Sequence, residues 1–450
     1  MAFRHSNSIR SFWLRNAPTS ALVLWVCLWC NLNTGFYNIG FANSAYEWQL
    51  SIRAALPFVV LPAAGFLLLR RRKLHLPKNA PSRLLMVYGV FATFASIFSP
   101  DPMAALYWSL PFLATMLAAW TFVDRANPLE PARQLLEVTW VATFIIAAII
   151  GYQARNSLFG EVASGYGVLG ELNGLSRSSG VARWAAVPGL VCLVRAYHTR
   201  RYSHIAFFLG VAAVSFFIVY RMQSRGAVFG SIAALLFTLL ISSQMRRYAL
   251  PFAALAIVVI LVLDSPGSVS NRVTTYLVRG QTREQFLSMT GRTHAYQLGL
   301  AAFQDAPLFG RGQWADRIVI HTHVHNSYLQ ALLNGGILGG VPYFASWVAG
   351  WMLFYKLQKK SAGLRPDDRL HLLECGAVMM FFTVRAIPET TTASFAVDLL
   401  VMVAVYVYLE TLTIQMGAKR LPQVIQRYNL VPTRTNISQT VARIEASRQI

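Results

Sequence analysis

The sequence predicts an all-α polytopic membrane protein with about twelve transmembrane helices and a helical outward-facing loop between the ninth and tenth. Three observations carry this. Of 450 residues, 55% are hydrophobic and only 13% are charged, against roughly 25% charged in a soluble domain. Apolar stretches close to the ~20 residues that cross a bilayer recur along the chain. The basic residues alternate between connecting loops, as they do when one side of a membrane retains them. This composition excludes most soluble enzymes, and its wealth of apolar surface excludes a disordered chain.

In chain order the expected spans are 19–36, 50–69, 84–100, 103–123, 135–153, 180–197, 203–220, 226–243 and 247–263, then 327–355, 371–387 and 394–415. The first lacks a small-residue cleavage site close behind it and reads as a retained span rather than a secretory signal. Residues 1–263 thus hold spans one to nine, 264–326 the large loop, 327–415 the last three spans, and 416–450 a basic tail suited to anionic headgroups. Neither an internal repeat nor an interrupted span, the marks of many transporters, is expected.

Charge sets the orientation. Forty Lys+Arg face eighteen Asp+Glu, a net +22. The loops sharing a side with both termini hold 27 basic and 8 acidic residues; the opposite loops hold 13 and 9, with Asp398 inside the last span. Both termini are therefore expected in the cytoplasm. Most of the excess charge is topological, and nucleic acid is not needed as a partner. Cys27, Cys30, Cys192 and Cys375 all fall in or at the ends of spans, so no disulfide framework is expected.

Every lysine falls on the cytoplasmic side, so the outward cations are all arginine. Arginine's planar fork suits phosphate or carboxylate. Arg183 opens span six, Arg221 and Arg225 bracket a tight turn, and Arg385 closes span eleven. At such depth a charge is costly unless paired or lining a wet cavity. The plainer alternative is snorkelling, or pairing with Glu389 or Asp398. The glycine-rich loop 154–179 adds Asn173 and Arg177. In the large loop a helix is expected from near Thr290, with Ala295, Leu298, Leu300, Ala301, Ala302 and Phe303 as its apolar surface. Pro307, Gly310 and Gly312 end it, and it is suited to lie along the bilayer interface over a cavity.

A cluster follows: His321, His323 and His325, then Asn326 and Ser327. Three readings are open. Alternating residues of an extended segment face one side and suit zinc, although carboxylates with ligand spacing are missing. The histidines also serve as polar residues before span ten. The third reading is catalytic: His325 stands at the water-facing mouth, just before a helix start capped by Asn326 or Ser327, and imidazole suits general-base work.

Several of these pieces resemble one family. His325-Asn326, nine residues and then Gly336-Ile337-Leu338-Gly339 are similar to the signature closing the large periplasmic loop of the bacterial O-antigen ligase and polymerase superfamily. Ser224-Arg225-Gly226-Ala227, Gly291-Arg292, Asp305-Ala306-Pro307-Leu308-Phe309-Gly310 and Leu172-Asn173-Gly174 agree with it. The match spans roughly 170–345, and the His-Asn signature points to the ligase branch. The resemblance implies a donor polysaccharide on undecaprenyl diphosphate, an acceptor sugar hydroxyl of lipid A–core, and transfer at the periplasmic face of the inner membrane.

On that reading His325 accepts the acceptor's proton, with Glu389 as the main competing acid. Arg221, Arg225 and Arg292, with Arg177 and Arg183, hold the diphosphate. Asn173, His323 and Asn326 complete the substrate site. No Asp-x-Asp occurs in the chain, so fixed arginines are expected to do the work of a divalent ion, with no metal and no cofactor. Displacement opposite the diphosphate inverts the anomeric centre. An O-antigen polymerase would use the same donor and the same arginines. A non-catalytic lipid-diphosphate transporter is the reading from another class.

Overall fold

The described residues of the computed structural model are 19–32, 46–70, 80–123, 129–153, 178–222, 224–242, 245 and 292–418. Their apolar runs form helices: α1 Thr19–Cys30, α2 Tyr46–Leu69, α3 Pro81–Ala95, α4 Pro102–Trp120, α5 Leu129–Gln153, α6 Ser178–His198, α7 Tyr202–Arg221 and α8 Arg225–Ile241. Then follow α9 Arg292–Gln304, the short α10 Ala315–Val319, α11 Ser327–Gln358, α12 Pro366–Arg385 and α13 Val397–Ala418. Each expected span falls on a helix except the ninth, at 247–263, which lies outside the described residues together with Asn173, Arg177 and the tail from 419.

Six of these helices are long and apolar enough to cross a membrane: α3 with its short 3-10 extension, α4, α5, α7, α11 and α13. α12 is long enough but carries Asp367, Asp368, Glu374 and Arg385. The reason lies in its partners. Near its start Arg133 of α5 hydrogen-bonds Asp368 through Nε at 2.9 Å and pairs with Glu130 at 2.7 Å. Further along, Arg195 of α6 meets Glu374 and Glu137, each at 2.7 Å, while Trp140 donates to Glu374 at 3.0 Å. Buried charges are tolerated when paired and hydrogen-bonded in this way. Arg133 and Arg195, two of the basic residues assigned to the cytoplasmic side, are thus neutralised between helices.

α13 is the central rod, buried on nearly all sides by α4, α5 and α11. α11 packs along α3, α8 along α12, and α6 along α7. Small residues permit the close approaches: a side chain at Gly230 of α8 would meet Phe381 of α12 at 2.9 Å. Phe58, Phe207, Leu240 and Met352 point outward on α2, α7, α8 and α11, the surface lipid would cover.

One expectation fails. α11 is not continuous: Gly336 has φ +60° and ψ −159°, a conformation open to glycine. In an apolar run the Gly335-Gly336 pair reads as part of a span, but here the helix breaks. The segment after α9 fills the break. Ile337 and Leu338 donate their N–H groups to the carbonyls of Pro307 (2.8 Å) and Leu308 (3.2 Å), while Arg311 and Gly312 donate to Leu333 (2.8 Å) and Asn334 (2.9 Å). Backbone freed inside a membrane must find such partners. Here the protein supplies them, whereas the broken helices of transporters turn theirs toward a substrate.

The loop helix also differs in detail. Its described part is Arg292–Gln304, and its buried stripe is Ala295, Gly299 and Ala302, spaced for one helical face. Leu298 and Leu300 are exposed. Gly299 brings α9 against Val324 and Leu329 at the start of α11.

Candidate functional site

The start of α11 is stitched to the turn between α12 and α13. Asn326 caps the helix, its Oδ1 accepting from the N–H groups of Tyr328 (3.0 Å) and Leu329 (2.9 Å). Its Nδ2 donates to the carbonyl of Ile387 at 2.9 Å. Ser327 N–H donates to Ala386 O (3.0 Å), its hydroxyl donates to Glu389 O (3.0 Å), and Thr391 N–H donates back to Ser327 Oγ (2.7 Å). The cap expected at Asn326 or Ser327 is therefore Asn326, and Ser327 is the rivet.

This stitching brings His325 and Glu389 together. His325 Nδ1 lies 3.2 Å from Glu389 Oε2, and Arg292 Nη2 donates to Glu389 Oε1 at 2.9 Å. Burial pushes the Glu389 carboxyl up, but the His325 hydrogen bond and the charges of Arg385, Arg292 and His325 outweigh it and hold the group at about 2. An ionised carboxylate here requires His325 to carry its proton on Nδ1, which leaves Nε2 as the basic nitrogen. A carboxyl held that low is poorly matched to accept protons near neutral pH. Of the two competitors for the role of base, the geometry favours the histidine and makes Glu389 its orienting partner.

The histidine segment is not extended: His321 and His325 have φ of 52° and 50°. Side chains two apart therefore do not simply share a face, and the zinc reading loses its geometric basis. His325 N–H donates to His323 Nδ1 at 2.8 Å. That bond needs the lone pair on Nδ1, so it takes precedence over the looser 3.9 Å approach of the same atom to Asp316. Asp316 holds the turn from below, accepting from Gln330 Nε2 (3.1 Å) and from Val324 N–H (3.4 Å). Burial raises its carboxyl, with Arg317 and Gln330 partly opposing. Among the described residues no group of three His, Cys, Asp or Glu is arranged to hold a metal.

The remaining arginines divide. Asp398 Oδ2 receives both Arg183 Nη1 and Arg385 Nη1, each at 3.1 Å, and Arg385 in turn helps hold Glu389 ionised. Pairing with Glu389 and Asp398, the plainer alternative in the sequence, is what Arg292, Arg183 and Arg385 do. Arg221 ends α7 and Arg225 opens α8. Gly226 lets α8 close on the same turn: a Cβ there would sit 3.4 Å from Pro388 and 3.9 Å from Glu389. The Ser224–Ala227, Arg292 and His325-Asn326 motifs thus converge around Glu389. The Asp305–Gly310 motif fills the break in α11, and Asn173 and Arg177 lie outside the described residues.

From the sequence Glu389 reads as a rival base or as a pairing partner for arginine, not as the partner of His325. Its real signal was a lone acid, with Asp398 nearby, among outward arginines.

Together these features define a polytopic helical membrane protein with a His–Glu pair held among arginines at one end of the bundle. Residues 210–344 match the family described as O-antigen ligase. The matched segment, under a third of the chain, contains Arg221, Arg225, Arg292, His323, His325 and Asn326; Arg183 and Glu389 fall outside it. No curated protein matches the chain.

Proposed function

We propose that the chain is an O-antigen ligase of the bacterial inner membrane. In this reading both termini are cytoplasmic and the His325–Glu389 pair faces the periplasm. The enzyme moves O-antigen polysaccharide from undecaprenyl diphosphate to a sugar hydroxyl of lipid A–core. His325 Nε2 takes the acceptor's proton as its oxygen bonds to the anomeric carbon. The bond from that carbon to the diphosphate oxygen breaks, and the electron pair leaves with the diphosphate. Glu389 fixes the ring and stabilises the imidazolium as it forms, as the acid of a hydrolase triad does.

Arg221 and Arg225 meet the charge developing on the leaving group, and the anomeric centre inverts. The observation that carries the reading is the 3.2 Å contact between His325 Nδ1 and an ionised Glu389. Arg292 serves chiefly to hold that carboxylate.

The test is transfer by purified protein in proteoliposomes, with a chelator present. Transfer that persists with chelator and disappears in His325→Ala supports the reading. Full activity in His325→Ala removes the base, and loss with chelator removes the arginine-only stabilisation. Cells lacking a ligase keep long polymer on the lipid carrier and none on core, whereas cells lacking a polymerase attach single repeat units.

A further inference from the structure

Beside Arg183, at the same end of the bundle, lies a cavity of about 160 Å³ that the chemistry above does not use. Trp108, Trp184, Trp314 and Phe395 wall it, and Arg183 and Asn31 are its polar members. Trp108 of α4 and Trp314 lie flat on each other, centroids 3.8 Å apart and planes within 7°. Trp314 is held at φ 65°, a left-handed conformation that a side-chain-bearing residue rarely adopts. Strain of this kind persists where surrounding structure enforces it, often at a ligand site.

Two donors on the lining residues are buried without an acceptor among the described residues: Arg183 Nε and the indole N–H of Trp184. Orphaned donors are uncommon in folded proteins and call for an explanation. Charge adds a direction. Arg183 shares the carboxylate of Asp398 with Arg385, so its guanidinium has only part of one acid to itself among the described residues. Size adds a limit, since a cavity of about 150 Å³ takes one six-membered ring, well under the ~300 Å³ of a pocket for a drug-sized ligand.

We propose that this cavity is a subsite for a single sugar ring bearing an anionic group, a phosphate or a carboxylate. The ring stacks on the aromatic wall, and its oxygens accept from Arg183 and Trp184. The inference deepens the proposed transfer and rests on it for the choice of a saccharide as ligand. Through Asp398 and Arg385 the subsite adjoins the turn that carries Glu389, whose N–H donates to Arg385 O at 3.0 Å. Both saccharide substrates can present such a ring, the acceptor core and the donor's leading residues.

Binding is measured on the purified full chain by saturation-transfer NMR, with glucose 6-phosphate as the probe and glucose and inorganic phosphate for comparison. Glucose 6-phosphate is expected to bind better than either comparison compound, and about tenfold more weakly in Trp108→Leu and in Arg183→Gln. Trp314→Phe, which keeps an aromatic face, should retain binding that Trp314→Leu loses, so that a folding defect is told apart from a lost contact. Equal binding in wild type and all variants overturns the proposal, as does glucose binding as well as its phosphate.

Kinetics of Trp108→Leu then identify the source. A roughly tenfold rise in KM for the acceptor assigns the ring to the acceptor, the same rise for the donor assigns it to the donor, and no change in either overturns the subsite. Because binding is read without transfer, its loss counts against the cavity alone, and absence of transfer counts against the catalytic reading alone.

Discussion

Replacing Glu389 by glutamine keeps the side chain's size while removing the charge that organises the site. The carboxylate accepts from two donors, His325 Nδ1–H and Arg292 Nη2, whereas an amide has one oxygen for the pair. If its NH₂ faces His325, the ring is driven to the tautomer with its proton on Nε2, and the base is lost. If it faces Arg292, that pair breaks. The magnitude follows from the electrostatics. Holding the carboxyl at about 2, against an ordinary 4.5, corresponds to roughly 3 kcal/mol of net stabilisation of the ionised form. Interaction with an imidazolium strengthens as the proton is taken. If most of that energy acts in the transition state, kcat falls about 100-fold, at 1.36 kcal/mol per tenfold. The assay is release of the polyprenyl diphosphate by reconstituted protein at pH 7, with both substrates saturating. A Glu389→Gln enzyme within threefold of wild type would refute the orienting role.

Linkage offers a second check on the same residue. The folded-state value of Glu389 is depressed, so its contribution to stability is complete above about pH 4.5 and is lost as pH falls toward 2. Thermal unfolding should show wild type more stable than Glu389→Gln at pH 7, with the gap closing below about pH 4. Gly336→Ala would place a Cβ against the Leu308 carbonyl at φ +60°, and should lower the yield of folded protein sharply; an unchanged melting temperature would contradict the packed break. Arg195→Ala leaves the buried Glu374 and its neighbour Glu137 with His371 as their remaining basic partner, and about 3 kcal/mol of stability should go with it, read by thermal inactivation in detergent. Arg221→Lys and Arg225→Lys keep the charge but lose the planar fork; each should reduce transfer at least tenfold, and near-normal rates would argue against paired contacts to phosphate.

Hydropathy located the helices because a span is a local property of some twenty residues. It placed span eleven at 371–387 but said nothing of how the acids of α12 are held. Asp368 and Glu374 look prohibitive until Arg133 and Arg195 arrive from α5 and α6, far away in sequence. The site was legible in the same uneven way. His325, Arg225 and Arg292 stand in short motifs, but Glu389 meets His325 only because Ser327 and Asn326 tie the start of α11 to the turn after α12. No periodicity records that tie. The break at Gly336 was hidden because two glycines within apolar residues cost little hydropathy. Its partner segment, read as a helix terminator at Pro307, Gly310 and Gly312, gave no sign of filling a gap.

That filled gap bears on how the chain comes to its final form. Residues 307–312 precede the interrupted helix, so the segment that completes α11 has left the ribosome before Gly336 does. While it is undocked, α11 carries exposed amides and carbonyls that hydrocarbon penalises by several kcal/mol each, and the two halves have little reason to settle side by side in lipid. Docking closes a loop of some thirty residues, a modest entropic cost. The span is thus completed by a segment that lies ahead of it in the chain, and its two halves share one set of backbone partners with that segment.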